Sequence, residues 1–180
     1  IERILVVGQG SIGLRHLEIA RKKFPKADIR TFQHIKKDSY PSQANGSISV
    51  LDDAIEFRPE VAIIANPSSY HMTLAIPLAK IGVHLLIEKP ISNSSDCIES
   101  LISIAKKEGI ILLVGYNLRF KTSLIKFRDY LLKSTIGKVL SVQCDAGQYL
   151  PDWRPDNDYR KTVSANKALG GGVLLELSHE

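Results

Sequence analysis

The chain has 180 residues, of which 44% are hydrophobic, so it can bury one full core and part of a second. Its net charge of +5 is modest, and the basic residues are dispersed apart from short clusters at 21–23 and 36–37. This distribution is typical of a solvated surface and disfavours nucleic acid as a partner. No apolar run approaches the ~20 residues of a membrane span, and no signal-peptide pattern opens the chain. We therefore expect a globular protein of the cytoplasm that has no membrane partner.

The two cysteines, Cys97 and Cys144, have the spacing of neither a metal site nor a disulfide framework. We expect reduced thiols that pack as small hydrophobic side chains, and we expect no bound metal.

The first motif is a glycine-rich turn between an apolar run at 4–7 and an amphipathic stretch that Pro25 ends. The turn has the sequence Gly8-Gln9-Gly10-Ser11-Ile12-Gly13. A strand, a GxGxxG turn and a helix in this order predict a dinucleotide site, whereas the turn alone could be an ordinary glycine-rich turn. The first glycine allows a sharp turn, the second leaves room for a pyrophosphate, and the third lets the helix approach the strand. The free amides of Ser11 and Ile12 at the helix start would face the phosphates.

The chain then predicts strands alternating with helices. Strands are expected at 29–32, 61–65, 85–87 and 110–114. Helices are expected to begin at Asp52 or Asp53, at Ser68 or Ser69, and at Ser95 or Asp96, and to stop before Pro59, at Gly82 (after a kink at Pro77) and at Gly109. The short connections imply a doubly wound parallel sheet through about residue 118, with ligands beyond the carboxyl ends of its strands.

Cofactor choice is expected at Gln33 and His34, which follow the second strand. An acidic residue there would bind the ribose hydroxyls of NAD and repel the extra phosphate of NADP. Neither residue is acidic, and Lys36 and Lys37 lie nearby, so the sequence slightly favours NADP over NAD. The alternative is that these lysines only solvate a loop.

Other polar residues follow the later strands. Asn66-Pro67, Glu88-Lys89-Pro90 and Asn117 come directly after apolar runs, so they should meet the glycine turn at one edge of the sheet. His71 lies in the first turn of the helix after Pro67, where it either contacts the cofactor or is a surface or capping residue.

Beyond residue 118 the pattern changes. Leu124, Phe127 and Leu131 predict a linking helix, and residues 140–146 alternate between apolar and polar side chains as in a half-buried strand. Residues 119–180 are too few for a typical domain of ~100–150 residues, so we expect part of the protein to be missing from this sequence.

Five motifs resemble, in order, those of the glucose-fructose oxidoreductase, inositol dehydrogenase and rhizopine-catabolism (Gfo/Idh/MocA) family. They are Gly8-x-Gly10-x-x-Gly13, Ala65-x-Pro67-x-x-x-His71, Glu88-Lys89-Pro90, Gly115-Tyr116-Asn117-x-Arg119-Phe120 and Gly170-Gly171-Gly172. The resemblance implies an α/β fold with a Rossmann domain at 1–118 and, at 119–180, a linking helix and the start of an α/β domain with an open, mostly antiparallel sheet. It also implies hydride transfer between NAD(P) and a sugar, cyclitol or related alcohol, and a homo-oligomer.

Within this resemblance, Lys89 is the first candidate catalytic residue, because its ammonium could donate to a carbonyl oxygen or orient an alcohol. The alternative is a structural pair with Glu88. The family places Glu88 near the nicotinamide and implies a cis Lys89–Pro90 bond. We further expect Asn66, Pro67 and Asn117 to contact the cofactor, and Tyr116 and Arg119 to contact the substrate.

His179 is the second candidate acid or base, because a histidine titrates near neutral pH. It matches the family histidine that follows the triple glycine. Relatives often carry an aspartate four residues earlier, where this chain has Leu175. Glu176 lies three residues before His179, so it either orients the histidine from the same helix face or is simply solvated.

An aromatic and arginine-rich loop precedes the triple glycine. Trp153 and Arg154 would suit a sugar ring and an anionic group, or could anchor the loop on the sheet. The segment also resembles relatives from bacterial surface-glycan pathways. A non-catalytic dinucleotide sensor is the alternative function, although the retained Lys89 and His179 favour an enzyme.

Overall fold

A six-stranded parallel sheet forms the centre of the computed structural model, which describes residues 1–34, 39–153 and 155–179. The strands are β1 (Arg3–Val7), β2 (Asp28–Phe32), β3 (Gly46–Ile48), β4 (Val61–Ile64), β5 (His84–Ile87) and β6 (Leu112–Val114). Their spatial order is β3-β2-β1-β4-β5-β6. From β1 the chain first adds β2 and β3 on one side of the sheet and then β4, β5 and β6 on the other side. A doubly wound fold opens its ligand crevice at this point, between β1 and β4.

The connections between strands are mostly helical. The helices are α1 (Ser11–Lys23), α2 (Leu51–Glu56), α3 (His71–Lys80), α4 (Ile98–Glu108), α5 (Thr122–Leu132), α6 (Leu150–Trp153) and α7 (Val173–Leu177). Short 3₁₀ turns occupy Ser68–Tyr70, Asn117–Phe120, Tyr159–Lys161, Val163–Ala165 and Lys167–Leu169. None of the helices within the described ranges is long and apolar enough to cross a membrane.

The central strand β1 is buried on both faces of the sheet, as its apolar run predicts. Ile4 and Val6 pack on one face with Leu17 of α1, whereas Leu5 and Val7 pack on the other face in the core of α2, α3 and α4. These four side chains are at most 2% exposed. The rigid strand ends that carry the site are therefore held by core on two sides.

Three predicted helix starts are wrong in their capping residue. Val50, Tyr70 and Cys97 occupy the N-cap positions of α2, α3 and α4, and none of these caps makes a side-chain hydrogen bond. Asp52 and Asp53 lie instead inside the first turn of α2, where their charge favours the helix amino end. Gly109, with φ of 65°, ends α4 as predicted.

The serine-rich segment before α4 explains the later start of that helix. The hydroxyl of Ser94 accepts a hydrogen bond from the amide of Asp96, and the hydroxyl of Ser92 accepts one from the amide of Ser94. These local turns compete with helix formation until Cys97. Both Cys97 and Cys144 are free thiols, but they are exposed, so the prediction that they pack as hydrophobic side chains is wrong.

The predicted strand at 140–146 is absent, and its side chains are exposed. Alternation of polar and apolar residues produces a strand only when a neighbouring strand takes its hydrogen bonds, and no other described segment pairs with it. The linking helix is confirmed as α5, although Phe127 on it is 52% exposed. Strand β3 was not predicted, because three residues are too few for a periodic signal.

Candidate functional site

The glycine turn is held tightly between β1, β4 and α1. Gly8 has a φ of +91°, and a Cβ there would lie 2.6 Å from the carbonyl oxygen of Ala65. A Cβ at Gly13 would collide with the carbonyl oxygen of Gly8. By contrast, a Cβ at Gly10 would meet nothing within 4 Å. Two glycines are therefore required by the protein itself, while the third faces open space.

That open space is a cavity of about 470 Å³ at the carboxyl ends of β1, β4 and β5. Four segments line it: the glycine turn, the β4–α3 turn, the β5 end, and a distant part of the chain before and after the triple glycine. Its lining residues are Gly8, Gln9, Gly10, Ser11, Ile12, Ala65, Asn66, Pro67, Ser68, His71, Lys89, Pro90, Lys161, Thr162, Val163, Ser164, Gly170 and Glu176. We call it the first cavity.

The residues of this cavity fit a dinucleotide. The side-chain oxygen and nitrogen of Asn66 are buried without a hydrogen-bond partner among the described residues. Nε2 of Gln33, which lies outside the lining of this cavity, is in the same state. Buried amide groups without hydrogen bonds destabilise a fold unless a ligand or a water molecule supplies those bonds. Asn66 and the backbone around Gly10 would hold the bound cofactor, which supplies a carbon that gives or takes a hydride.

The end of β5 carries two charged side chains that bind different partners. The Glu88 carboxylate bonds His16 of α1 at 2.7 Å, whereas Nζ of Lys89 donates to the carbonyl oxygen of Glu176 at 2.9 Å. Glu88 contacts Lys89 through the Lys89 amide, at 3.3 Å. The alternative of a structural ion pair between the two side chains is therefore wrong. The Lys89–Pro90 bond is cis, as the resemblance implies.

Burial alone would raise the pKa of Glu88, but the hydrogen bond and charge of His16 outweigh it, so the pKa lies below its ordinary value. The carboxylate stays ionised near neutral pH, with Oε1 bonded to His16 and Oε2 accepting from the Lys89 amide.

A second cavity, of about 250 Å³, lies on the other side of Lys89. It is lined by Lys89, Gly115, Tyr116, Asn117, Leu118, Arg119, Leu124 and His179. The rings of Tyr116 and His179 lie 5.4 Å apart between centroids. Lys89 lines both cavities, so its side chain separates a space beside the glycine turn from a space beside His179.

His71 is buried rather than a surface or capping residue, with 1% of its surface exposed. Nε2 lies 2.8 Å from the carbonyl oxygen of Asn66, and Nδ1 lies 3.2 Å from that of Ile91. Burial lowers the pKa of the imidazole. The ring therefore joins the β4 end to the loop after Lys89, while one of its edges lines the first cavity.

Residues 2–116 match the model of an oxidoreductase family with an NAD-binding Rossmann fold. The chain belongs to this oxidoreductase family. It is 28% identical over 130 residues to levoglucosan dehydrogenase of Pseudarthrobacter phenanthrenivorans, covering 68% of this chain and 31% of the relative. It is 25% identical over 182 residues to myo-inositol 2-dehydrogenase of Thermotoga maritima, covering 98% and 51%. The chain thus spans about half or less of the length of these relatives.

The fold also matches solved structures. An NAD-binding protein from Listeria innocua aligns with a TM-score of 0.68 at 20% identity, covering 98% of this chain and 51% of the other. The predicted Gfo/Idh/MocA resemblance and the Rossmann sheet are both confirmed.

Several predicted site residues of this family member lie apart from the first cavity. The backbone amide of Gln33 donates to Ile48, and His34 is exposed with its ring 5.5 Å from that of Tyr70. Asn117 lines the second cavity with the predicted substrate residues. Trp153 lies with Leu150 and Tyr159 at a pocket of about 10 Å³. Lys36, Lys37 and Arg154 lie outside the described residues.

Two contacts were not predicted. His16 lies one helical turn after Gly13, and that spacing is the sequence signal that could have suggested it. Glu176 holds Lys89 through its main chain, while its carboxylate accepts a hydrogen bond from the Ser164 hydroxyl at 2.9 Å. Neither alternative for Glu176 anticipated this arrangement.

Proposed function

We propose that this protein is a dehydrogenase that transfers a hydride between NAD(P) and a hydroxyl or carbonyl carbon of a sugar or cyclitol. The observation that supports this most directly is the position of Lys89 between the two cavities. A hydride acceptor on one side and an alcohol on the other would meet at this ammonium group. The relatives named for levoglucosan and myo-inositol support a cyclic polyol as substrate class.

In this proposal Lys89 holds the substrate oxygen, donating to it during reduction and stabilising its developing charge during oxidation. The Glu176 carbonyl aims the amine, since it accepts one of its three hydrogens. His179 is the second acid or base at the far wall of the second cavity, and Tyr116 and Arg119 position the substrate there. Trp153 and Arg154 remain candidate substrate residues.

For the cofactor, we propose contacts from the glycine turn with Ser11 and Ile12, from Asn66 and Pro67, and from Glu88 beside the nicotinamide. Gln33 and His34 would face the adenosine ribose, which keeps the slight preference for NADP. His71 would act by fixing Asn66, whose carbonyl it contacts.

The test replaces Lys89 with methionine, which keeps length and packing but removes the charge and the proton. Calorimetric titration with NADH and NADPH should show cofactor binding unchanged, while turnover on a panel of sugars, cyclitols and uronates falls by about 10²–10⁴. Gly10→Val is the matched control, because its side chain would enter the open space of the first cavity and abolish cofactor binding. Near-normal turnover of Lys89→Met would overturn this assignment and favour a sensor that binds the dinucleotide without chemistry.

A further inference from the structure

The segment 159–171, here called the strap, lies across the first cavity, far in sequence from the other walls. The Ser68 hydroxyl donates to the carbonyl oxygen of Gly170 at 3.4 Å, and a Cβ at Gly170 would collide with that hydroxyl oxygen. A Cβ at Gly171 would collide with the carbonyl of Val163. The glycines thus let the strap pack closely on the β4–α3 turn and on itself.

This close packing brings four consecutive strap residues, 161–164, to the cavity that also contains the glycine turn. The first of them, Lys161, ends a 3₁₀ turn that Asp158 caps by accepting a hydrogen bond from the Arg160 amide. Lys161 does not line the second cavity, where the candidate substrate residues gather.

The basic residues of the strap differ in whether a carboxylate pairs with them. Asp158 pairs with the Arg160 guanidinium at 2.9 Å, which offsets that charge. No carboxylate of the described residues lies within ion-pair distance of Lys161. The other lysine and the carboxylate of the cavity are engaged, since Nζ of Lys89 donates to the Glu176 carbonyl oxygen and the Glu176 carboxylate accepts from the Ser164 hydroxyl. Lys161 therefore leaves positive charge at this cavity wall.

We propose that Lys161 is a cofactor-binding residue whose ammonium interacts with the pyrophosphate of the dinucleotide, together with the backbone amides of the glycine turn. This inference rests on the proposed function, because it needs a dinucleotide in the first cavity. The strap then contributes to cofactor affinity, in contrast to the sequence-based interpretation of the neighbouring loop as a substrate element. A lysine binds phosphate oxygens as a compact positive charge, so salt should weaken the contact.

The test compares wild type, Lys161→Gln, Lys161→Arg and Lys167→Gln by titration with NADH, ADP-ribose and adenosine at low and high salt. Lys167 is an exposed lysine of the same strap that does not line the first cavity, so it is the matched control. Lys161→Gln should weaken NADH and ADP-ribose about tenfold, as expected for one charge-assisted hydrogen bond. It should leave adenosine unchanged and reduce the salt dependence, while the arginine and Lys167 variants stay near wild type.

Equal affinities of wild type and Lys161→Gln for ADP-ribose would overturn the inference, even if Lys161→Gln bound anionic sugars such as uronates more weakly. Equal losses in Lys161→Gln and Lys167→Gln would also overturn it, because they would show a general charge effect. A wild type that binds neither NADH nor NADPH would overturn the proposed function and this inference together. Far-ultraviolet circular dichroism of each variant identifies a loss of fold.

Discussion

At the scale of single residues, the pair of His16 and Glu88 connects the dinucleotide helix to the end of β5. Their side chains are only 17% and 14% exposed, and Nε2 of His16 lies 2.7 Å from Oε1 of Glu88. A Cβ at Gly115 would lie 3.0 Å from the Glu88 carboxylate, so the carboxylate also fills the space beside the β6 end. The pair therefore connects α1, which follows the glycine turn, to the end of β5 that carries Lys89.

A double-mutant cycle of His16→Asn and Glu88→Gln should show a coupling energy of about 1–2 kcal/mol, as for a largely buried hydrogen bond with a charged group. Urea unfolding of the four proteins at neutral pH measures it. The exposed pair of Arg30 and Asp28 is the control, with a coupling of at most about 1 kcal/mol. Similar coupling in both cycles would contradict the structural importance of the His16 contact.

Cofactor choice also belongs to this scale. His34→Asp places a carboxylate at the end of β2, where it would repel a 2′-phosphate and accept hydrogen bonds from ribose hydroxyls. We expect the ratio of NADPH to NADH affinity to fall roughly fivefold to thirtyfold, the effect of about 1–2 kcal/mol of partly screened repulsion. Titration with both cofactors measures the ratio. A wild type that already strongly prefers NADH would contradict the interpretation of Gln33 and His34.

At the scale of elements, the sequence predicted those parts whose signal is local. The β1 strand, the glycine turn and α1 were predictable because burial on both faces and tight backbone contacts demand particular residues there. The start of α4 was not, because serines before it could cap a helix or form turns of their own. The strap contacts were not predictable either, since Gly170 meets Ser68 across about a hundred residues of sequence.

The strap supplies the prediction at this scale. Gly171→Ala should destabilise the protein by about 1–3 kcal/mol, because the methyl group would collide with the Val163 carbonyl. Gly147→Ala is the control: a Cβ there meets open space, and we expect a change within about 0.5 kcal/mol. Chemical denaturation measures both, and hydrogen exchange of amides 161–171 shows whether the strap has separated locally. Equal stability of the two variants would contradict the close packing.

At the scale of the whole molecule, stability is expected to depend on pH through His71. Burial lowers the pKa of its imidazole from the ordinary 6.5, so protons bind more readily to the unfolded chain. The stabilisation is complete above pH 6.5 and is lost as the pH falls from 6.5 towards the folded-state pKa. Glu88 acts in a lower window, because its folded-state pKa lies below 4.5.

The free energy of unfolding of the wild type should therefore decline as the pH falls below about 6.5, with His71 contributing up to about 1.4 kcal/mol per pH unit. His71→Gln should lower stability at neutral pH but show a smaller decline in this window. The exposed His34 provides the control variant, His34→Gln, which should keep the wild-type slope. Parallel curves for wild type and His71→Gln would contradict the assignment.

Lys89, which lies between the two cavities, has a thermodynamic consequence. A dinucleotide on one side and an alcohol on the other would lie against each other at this side chain, which the Glu176 carbonyl holds in place. Their two binding equilibria are then linked, and linkage is reciprocal. The factor by which the dinucleotide changes the affinity for the alcohol must equal the factor by which the alcohol changes the affinity for the dinucleotide.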